Sequence, residues 1–324
     1  MYLMAVMTTG GGNMVVTVTI NPAMDLVMAL DRFRLNVTNR VQRKMCCVGG
    51  KGTHVSINLS LMGIRSKAAG VVMGVTGDEI LKRLSQYDID LRFIRLDEGN
   101  SRTNYVLTDG DGNCTLISEK GEMMDQTVID QFVSHYSTLV ERGDMVVISG
   151  DASNQKDTGL QEKLMDIAAE KGARFCLDAS GVHLEAGIRK RPFLIKPNLD
   201  ELSCLCGREL STEADIISAL REVNENGAEN IIASCGGDGS YALLDGRLYR
   251  ILSPEVAVKN TVGCGDALLS GIVAGYEMKL STVDILKKAT AAAAATAMNE
   301  ATVGFDPEIA ARLEAEVTVK ELVF

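Results

Sequence analysis

The run Asn260-Thr-Val-Gly-Cys-Gly-Asp-Ala-Leu-Leu-Ser-Gly271 places two glycines before an acid, and an apolar helical pattern follows directly. Gly263 and Gly265 let the backbone turn with its N–H groups bare. The helix start beyond them adds partial positive charge, so the turn can cradle an anion. A carboxylate at Asp266 beside that cradle could take the proton of an attacking hydroxyl, while the amides around Gly263, Cys264 and Gly265 steady a transferring phosphoryl group. An ordinary glycine turn with Asp266 as a helix cap explains the same letters equally well in isolation.

Three other segments hold chemistry of the same kind. Val48-Gly-Gly-Lys-Gly-Thr-His54 would let backbone approach a small ligand closely, with Lys51 meeting an anion; the spacing is not that of a Walker A loop, and a flexible turn is as good a reading. Leu194-Ile-Lys-Pro-Asn-Leu-Asp-Glu201 runs from a strand into a helix. There Asn198 and Glu201 could hold the water of a Mg²⁺ ion and phosphate oxygens, or Glu201 could simply serve the helix dipole. Ser234-Cys-Gly-Gly-Asp-Gly-Ser240 follows an apolar strand and fits a loop over nucleotide phosphates or a tight hairpin. For a substrate, Asp25 in Asn21-Pro-Ala-Met-Asp25 could grip hydroxyls, and Arg102 in Asn100-Ser-Arg-Thr-Asn104 could fork a phosphate. Alone, each of the last two reads more simply as a solvated surface charge.

The elements that would position these residues alternate along the chain. A first strand is predicted over Met14–Ile20, a helix over Thr53–Met62, a strand over Ala68–Gly74 and a helix capped by Thr76 or Asp78 and running to Tyr87. Leu26–Cys47 reads as exposed sheet, and Asp109-Gly-Asp-Gly112 marks a hairpin within Tyr105–Ser118. Strands at Met145–Ser149, Arg174–Asp178, Phe193–Lys196 and Asn230–Ser234 then alternate with helices near Thr158–Lys171, Glu201–Gly207 and Glu213–Asn226. Helices over Asp266–Tyr276 and Val283–Asn299 end the pattern. Such alternation predicts a mostly parallel sheet with helices on both faces, and ligands at the carboxyl ends of its strands.

The totals narrow the function classes. The 324 residues carry 33 basic and 43 acidic side chains, a net charge of −10, which disfavours nucleic acid and anionic lipid as partners. Eight cysteines without a C-x-x-C pair, and only three histidines, support neither a zinc site nor a disulfide framework; reduced thiols point to the cytoplasm. The longest small apolar run, Ala289–Met298, is too short to span a membrane. Residues 1–13 read as an N-terminal extension, with Met14 an alternative start.

In this order, and each at a strand end, the segments resemble the phosphofructokinase B family of the ribokinase-like superfamily, with 1-phosphofructokinases and tagatose-6-phosphate kinases most alike. The matching text is Thr19-Ile-Asn-Pro-Ala-Met-Asp25, Gly49-Gly-Lys-Gly52, Arg102-Thr-Asn104, Asp178-Ala-Ser-Gly181, Lys196-Pro-Asn-Leu-Asp-Glu-Leu202, Ser234 to Gly239 and Thr261-Val-Gly-Cys-Gly-Asp266. The resemblance covers Met14 to Leu322. It implies a single kinase domain over 14–324: a mostly parallel central sheet flanked by helices, with a small β-lid drawn from about 26–47 and 100–118 that often forms a homodimer contact.

The resemblance also implies roles. Asp266 would be the base, and Gly263 to Gly265 the anion hole. Asp25, Arg40, Gly50, Lys51 and Arg102 would face the sugar phosphate. Lys196, Asn198, Ser234, Gly236, Gly239 and Asn299 would line ATP, with Glu201 organising Mg²⁺ through water. Two positions depart from the family pattern: His54 stands where Asn is usual, and Ser149-Gly-Asp-Ala-Ser153 where Ser-Gly-Ser-Leu-Pro-Pro is usual. Both face the sugar in relatives. Asp151 adds negative charge beside an anionic substrate, and a protonated His54 could offset it. The expected reaction is transfer of the ATP γ-phosphoryl group to a ketose phosphate, fructose 1-phosphate first. Tagatose 6-phosphate, fructose 6-phosphate, an unphosphorylated sugar or a nucleoside are alternatives, as is a catalytically silenced sugar-phosphate-binding regulator. Retention of Asp266 with both glycines weighs against the regulator, and the lack of G-x-G-x-x-G after the first strand weighs against a dehydrogenase.

Overall fold

In the computed structural model, which describes residues 13–110, 113–150, 154–155 and 159–322, the chain opens with β1 (Val15–Thr19), a wholly buried β-branched strand. It then leaves for β2 (Ala23–Leu30) and β3 (Arg43–Gly49), and returns through α1 (Lys51–Leu61), β4 (Ser66–Met73), α2 (Gly74–Leu84), β5 (Ile89–Leu91) and β6 (Ile94–Leu96). A second departure makes β7 (Arg102–Asp109) and β8 (Cys114–Ser118). Regular alternation follows: α3 (Gln126–Leu139), β9 (Met145–Ser149), α4 (Leu160–Glu170), β10 (Arg174–Asp178), α5 (Gly181–Ile188), β11 (Leu194–Ile195), α6 (Leu199–Cys206), α7 (Glu213–Glu225) and β12 (Asn230–Ser234). The chain closes with β13 (Ser240–Leu244), β14 (Arg247–Leu252), α8 (Cys264–Glu277), α9 (Thr282–Ala297), α10 (Pro307–Leu313) and β15 (Thr318–Leu322).

The large sheet runs β15-β14-β13-β12-β11-β10-β9-β1-β4-β5, with β6 also on β4. Its pairs are parallel from β12 to β5 and antiparallel from β12 to β15, so the mostly parallel expectation holds. Side chains alternate between two cores, as strand pleating requires. Val146 and Ile148 of β9 pack on the face covered by α3, α4 and α7, whereas Met145 and Val147 pack on the face covered by α1, α8 and α9. Burial on both faces explains why these strands read as unbroken apolar runs.

The residues expected to form exposed sheet make a separate four-stranded sheet, β3-β2-β7-β8. Its central pair is parallel, with Asp25 opposite Asn104. It packs on the main body through Met24 and Val48, and Arg43 Nη2 lies 2.6 Å from Glu300 Oε2.

Several boundaries differ from the sequence reading. Neither Thr76 nor Asp78 caps α2, which starts at Gly74 because that glycine takes φ +56°; Asp78 instead pairs with Arg95. Helix α3 was not anticipated, although Asp125 caps it and Ile129, Phe132, Val133, Tyr136 and Leu139 recur at helical spacing on its buried face. The antiparallel extension β13–β15 and the short α5 were also not anticipated. The strand β15 alternates weakly and is half exposed, so pairing with β14 rather than its own pattern defines it.

Candidate active site

The carboxyl edge of the large sheet gathers most of the segments with chemical potential. Strand β1 ends before Asn21, β9 at Ser149, β10 at Asp178, β11 before Lys196 and β12 at Ser234. Across this edge lies the start of α8. Its N-cap, Gly263, has φ +86°, and a Cβ there would fall 2.0 Å from the carbonyl oxygen of Thr302. Only glycine fits such a turn. The turn sets Asp266 in the first turn of the helix, 6% exposed.

Beside α8 is a cavity of 680 Å³. Asn198, Ser234, Gly236, Gly239, Cys264 and Gly265 line it, and Leu268, Ala293, Ala294 and Ala297 give it an apolar wall. The Ala-rich stretch of α9 is what leaves the room. Ser240 Oγ and Thr290 Oγ1 also line it, and both are buried without a protein partner among the described residues. Orphaned hydroxyls around an apolar wall are the arrangement a heteroaromatic, hydroxyl-bearing ligand satisfies.

The charges at this edge are paired. Asp178 is 1% exposed and accepts from Ser149 Oγ at 3.2 Å; Lys51 Nζ lies 3.1 Å and Lys196 Nζ 3.5 Å from its Oδ1. Burial would raise this carboxyl, but the charges of Lys196 and Lys51 outweigh it and hold the group below the usual carboxylate range. Burial would likewise lower Lys51, and Asp178 and Asp266 overcome it to keep the ammonium above its usual value. The thiol of Cys264 is pushed up to about 12 by burial and by Asp266, so it stays protonated.

Toward the small sheet, Asp25 is 3% exposed and its Oδ1 accepts from Asn104 Nδ2 at 2.8 Å. A Cβ on Gly49 would strike this carboxylate, so the glycine makes room for it. Gly50 begins the next turn with φ +106°.

Other expected site residues are placed differently. His54 does not open toward a substrate: it is 3% exposed, with Nδ1 2.7 Å from Asp266 Oδ2 and Nε2 2.9 Å from the carbonyl of Val48. Arg102 is no open fork. It is buried where β7 meets β8, and donates to the carbonyl of Asn21 at 3.1 Å, to Ser118 Oγ at 3.2 Å and to the carbonyl of Glu119 at 3.3 Å. Asn299 does not line the cavity; it ties the loop beyond α9, donating to Gly304 O at 3.1 Å. Lys196 also stands off the cavity wall, beside Gly265, because Asp178 draws it. Asn198 and Glu201 form a capping box on α6, each accepting from the other's N–H. Arg40 stands exposed on the β2–β3 connection. Asp151 and the expected start of the Thr158–Lys171 helix lie outside the described residues, as do residues 1–12.

The sequence reading gave no role to Asp178, Ser240 or Thr290. A signal existed for Asp178 alone: a charge ending the otherwise apolar run Phe175-Cys-Leu177 must have partners.

The family model for pfkB family carbohydrate kinases matches residues 13–308. A tagatose-6-phosphate kinase from Staphylococcus epidermidis is 32% identical over 292 residues, covering 89% of this chain and 94% of that protein. Among solved structures, phosphofructokinase-2 from Escherichia coli in complex with substrates and products superimposes with a TM-score of 0.86 at 21% identity, over 94% of this chain and 99% of that one. A possible 1-phosphofructokinase from Thermotoga maritima gives 0.84 at 24% identity, over 96% and 100%. The two structures establish the ribokinase-like fold, and the family match, running from the start of β1 into α10, establishes the chemistry: this chain belongs to the pfkB family and is a carbohydrate kinase.

Proposed function

We propose that the chain transfers the γ-phosphoryl group of ATP to a primary hydroxyl of a ketose phosphate, with fructose 1-phosphate, yielding fructose 1,6-bisphosphate, as first candidate. The observation that carries this reading is Asp266: a buried carboxylate in the first turn of α8, on the same turn whose Cys264 and Gly265 close one end of the 680 Å³ cavity. ATP would fill that cavity with its base against Ala293, Ala294 and Ala297, so that its terminal phosphate reaches the Gly263–Gly265 amides. Asp266 would then accept the proton of the attacking hydroxyl. Lys196, whose Nζ lies 3.0 Å from where a Gly265 Cβ would sit, is close enough to this turn to meet the phosphates. Asp25 would hold sugar hydroxyls, and the β3-β2-β7-β8 sheet would close as a lid and exclude water.

Mg²⁺ would neutralise charge on the transferring phosphates. It would be held by the phosphates, by water and by a carboxylate such as Glu201 in the first turn of α6. Eight free thiols suit a reducing cytoplasm, and among the described residues no helix is long and apolar enough to cross a membrane. A homodimer through the lid sheet is part of the proposal. Leu116 and Ile117 of β8, and Leu35, Val37 and Val41 of the β2–β3 connection, are exposed apolar side chains on that sheet, and sedimentation would read the association.

Tagatose 6-phosphate is the second reading, favoured by the 32% identical relative. ADP release measured over fructose 1-phosphate, tagatose 6-phosphate, fructose 6-phosphate, ribose and adenosine decides between them. Asp266→Asn should keep nucleotide binding while lowering kcat by at least ~10². Unchanged turnover would remove Asp266 from the role of base.

A further inference from the structure

His54 faces two acceptors at once. Its Nε2 is 2.9 Å from the carbonyl of Val48, and its Nδ1 is 2.7 Å from Oδ2 of Asp266. A carbonyl only accepts, and so does a carboxylate, yet a neutral imidazole carries one N–H. The second proton must therefore sit either on the ring or on Asp266. A protonated Asp266 could not take a proton from a hydroxyl, so if Asp266 is the base, as proposed above, the ring is an imidazolium.

We propose that His54 is the positioning residue of phosphoryl transfer, held as an imidazolium that pins Oδ2 of Asp266, leaves Oδ1 to receive the acceptor's proton, and makes turnover fall once the ring loses its charge. In the step itself the acceptor O–H bond breaks and its proton passes to Asp266 Oδ1. The hydroxyl oxygen forms the new bond to the γ-phosphorus, and the old P–O bond breaks with its electrons going to ADP. Both ring protons of His54 stay in place, and the proton on Asp266 is released to solvent afterwards.

The surroundings agree with a charged ring. Asp25 Oδ2 lies 3.8 Å from Nε2, so the ring stands between the proposed base and the carboxylate proposed to grip the sugar. Asp178 takes both Lys51 and Lys196, while the His54 ring stands 2.7 Å from Asp266 and 3.8 Å from Asp25, so a charged ring faces two buried carboxylates. Burial by itself would push the imidazole down; the hydrogen bond to Asp266 and the charges of Asp266 and Asp25 outweigh it and hold the group above its usual value. From β3 the neighbouring ionisable group is Cys47 and from α8 Cys264, both thiols held up by burial. Lys51 of α1 is directed to Asp178, Lys67 of β4 to the carbonyl of Leu139, and Asp90 of β5 to Arg92. Strands β1 and β9 carry no ionisable side chain.

Two measurements decide it. The chain has three histidines, so the full-length protein with His135→Gln and His183→Gln retains His54 alone, and its ring ¹⁵N resonances can be read without substrate. Both nitrogens should be protonated at pH 7; a ring with one bare nitrogen overturns the proposal. In kinetics, kcat should fall on the alkaline side as the ring deprotonates. His54→Asn, a neutral donor, should lose that limb and turn over about ten-fold more slowly at pH 7. His54→Gln serves as a second neutral variant. The same alkaline limb in both variants overturns the proposal even where kcat has dropped. Absence of turnover by the wild type on every sugar tested, with a doubly protonated ring, sinks the kinase substrate reading and the catalytic part of this one, while leaving the charge state established.

Discussion

Lys51 Nζ and Asp178 Oδ1, from residues 127 positions apart, meet at 3.1 Å, and Lys196 shares the same oxygen at 3.5 Å. One buried carboxylate thus anchors two cations at the mouth of the site. Asp178→Asn should leave Lys196, whose side chain is 8% exposed, without its counter-charge and cost about 3–5 kcal/mol of unfolding free energy. Urea unfolding would read this as a lower midpoint at unchanged slope. The sign with pH follows from the depressed carboxyl. Its contribution is present above the unfolded value near 3.8 and lost as pH falls through the lower folded value, so the gap between wild type and variant should narrow only in strong acid. A gap that stays constant from pH 7 to pH 2 would contradict the pairing.

The two glycines of the cradle should respond differently to alanine. At Gly263, φ is +86° and a Cβ would lie 2.0 Å from the backbone carbonyl of Thr302, so Gly263→Ala should destabilise by more than ~1 kcal/mol and abolish turnover. At Gly265 the Cβ would meet only the end of Lys196, at 3.0 Å, and that flexible ammonium can shift. Gly265→Ala should therefore fold within about 0.5 kcal/mol of wild type and lose activity through KM for the nucleotide. Equal melting temperatures for the two variants would refute the distinction.

Among the described residues Arg102 donates to the carbonyls of Asn21 and Glu119 and to Ser118 Oγ, where β7 and β8 meet the β1–β2 turn. Arg102→Ala should consequently lower stability by about 1–3 kcal/mol as well as raise KM for a phosphorylated sugar. Were the residue solely a phosphate fork, the melting temperature would not move. Calorimetry beside the kinetics separates the two.

Thiol reactivity gives an independent check on burial. Cys176 and Cys264 are pushed up to about 12, Cys176 by burial and Cys264 by burial and Asp266, whereas Cys46 and Cys204 are exposed. At pH 8 these two thiols present roughly one thiolate in ten thousand. Iodoacetamide followed by mass spectrometry should therefore find Cys46 and Cys204 labelled well before Cys176 and Cys264. Labelling of Cys264 at the rate of Cys46 would contradict the closed turn at the start of α8.

The local features of this protein were legible in its letters. Glycines 263 and 265 before Asp266, then an apolar run, specify a turn into a helix with an acid in its first turn, because φ preference and helix-terminus charge act over a few residues. Unbroken apolar strands alternating with amphipathic helices specify the parallel sheet for the same short-range reason. Helix α3 carries the same kind of local signal, an Asp125 cap and a regular buried stripe.

What the letters could not supply is the pairing of charges, since it depends on which distant side chains share a buried space. His54 and Asp266 are 212 positions apart and meet at 2.7 Å only because α1 packs against α8. Arg102 reads alone as a solvated surface charge, or else as a phosphate fork, and its burial follows from the pairing of β7 with β8 and the acceptors that pairing supplies. Neighbouring letters were enough for the parallel strands, the glycine turn and the resemblance to the kinase family. Tertiary structure alone decided which ionised groups face one another, because in a low-dielectric interior a charge's behaviour is set by its neighbours in space and not along the chain.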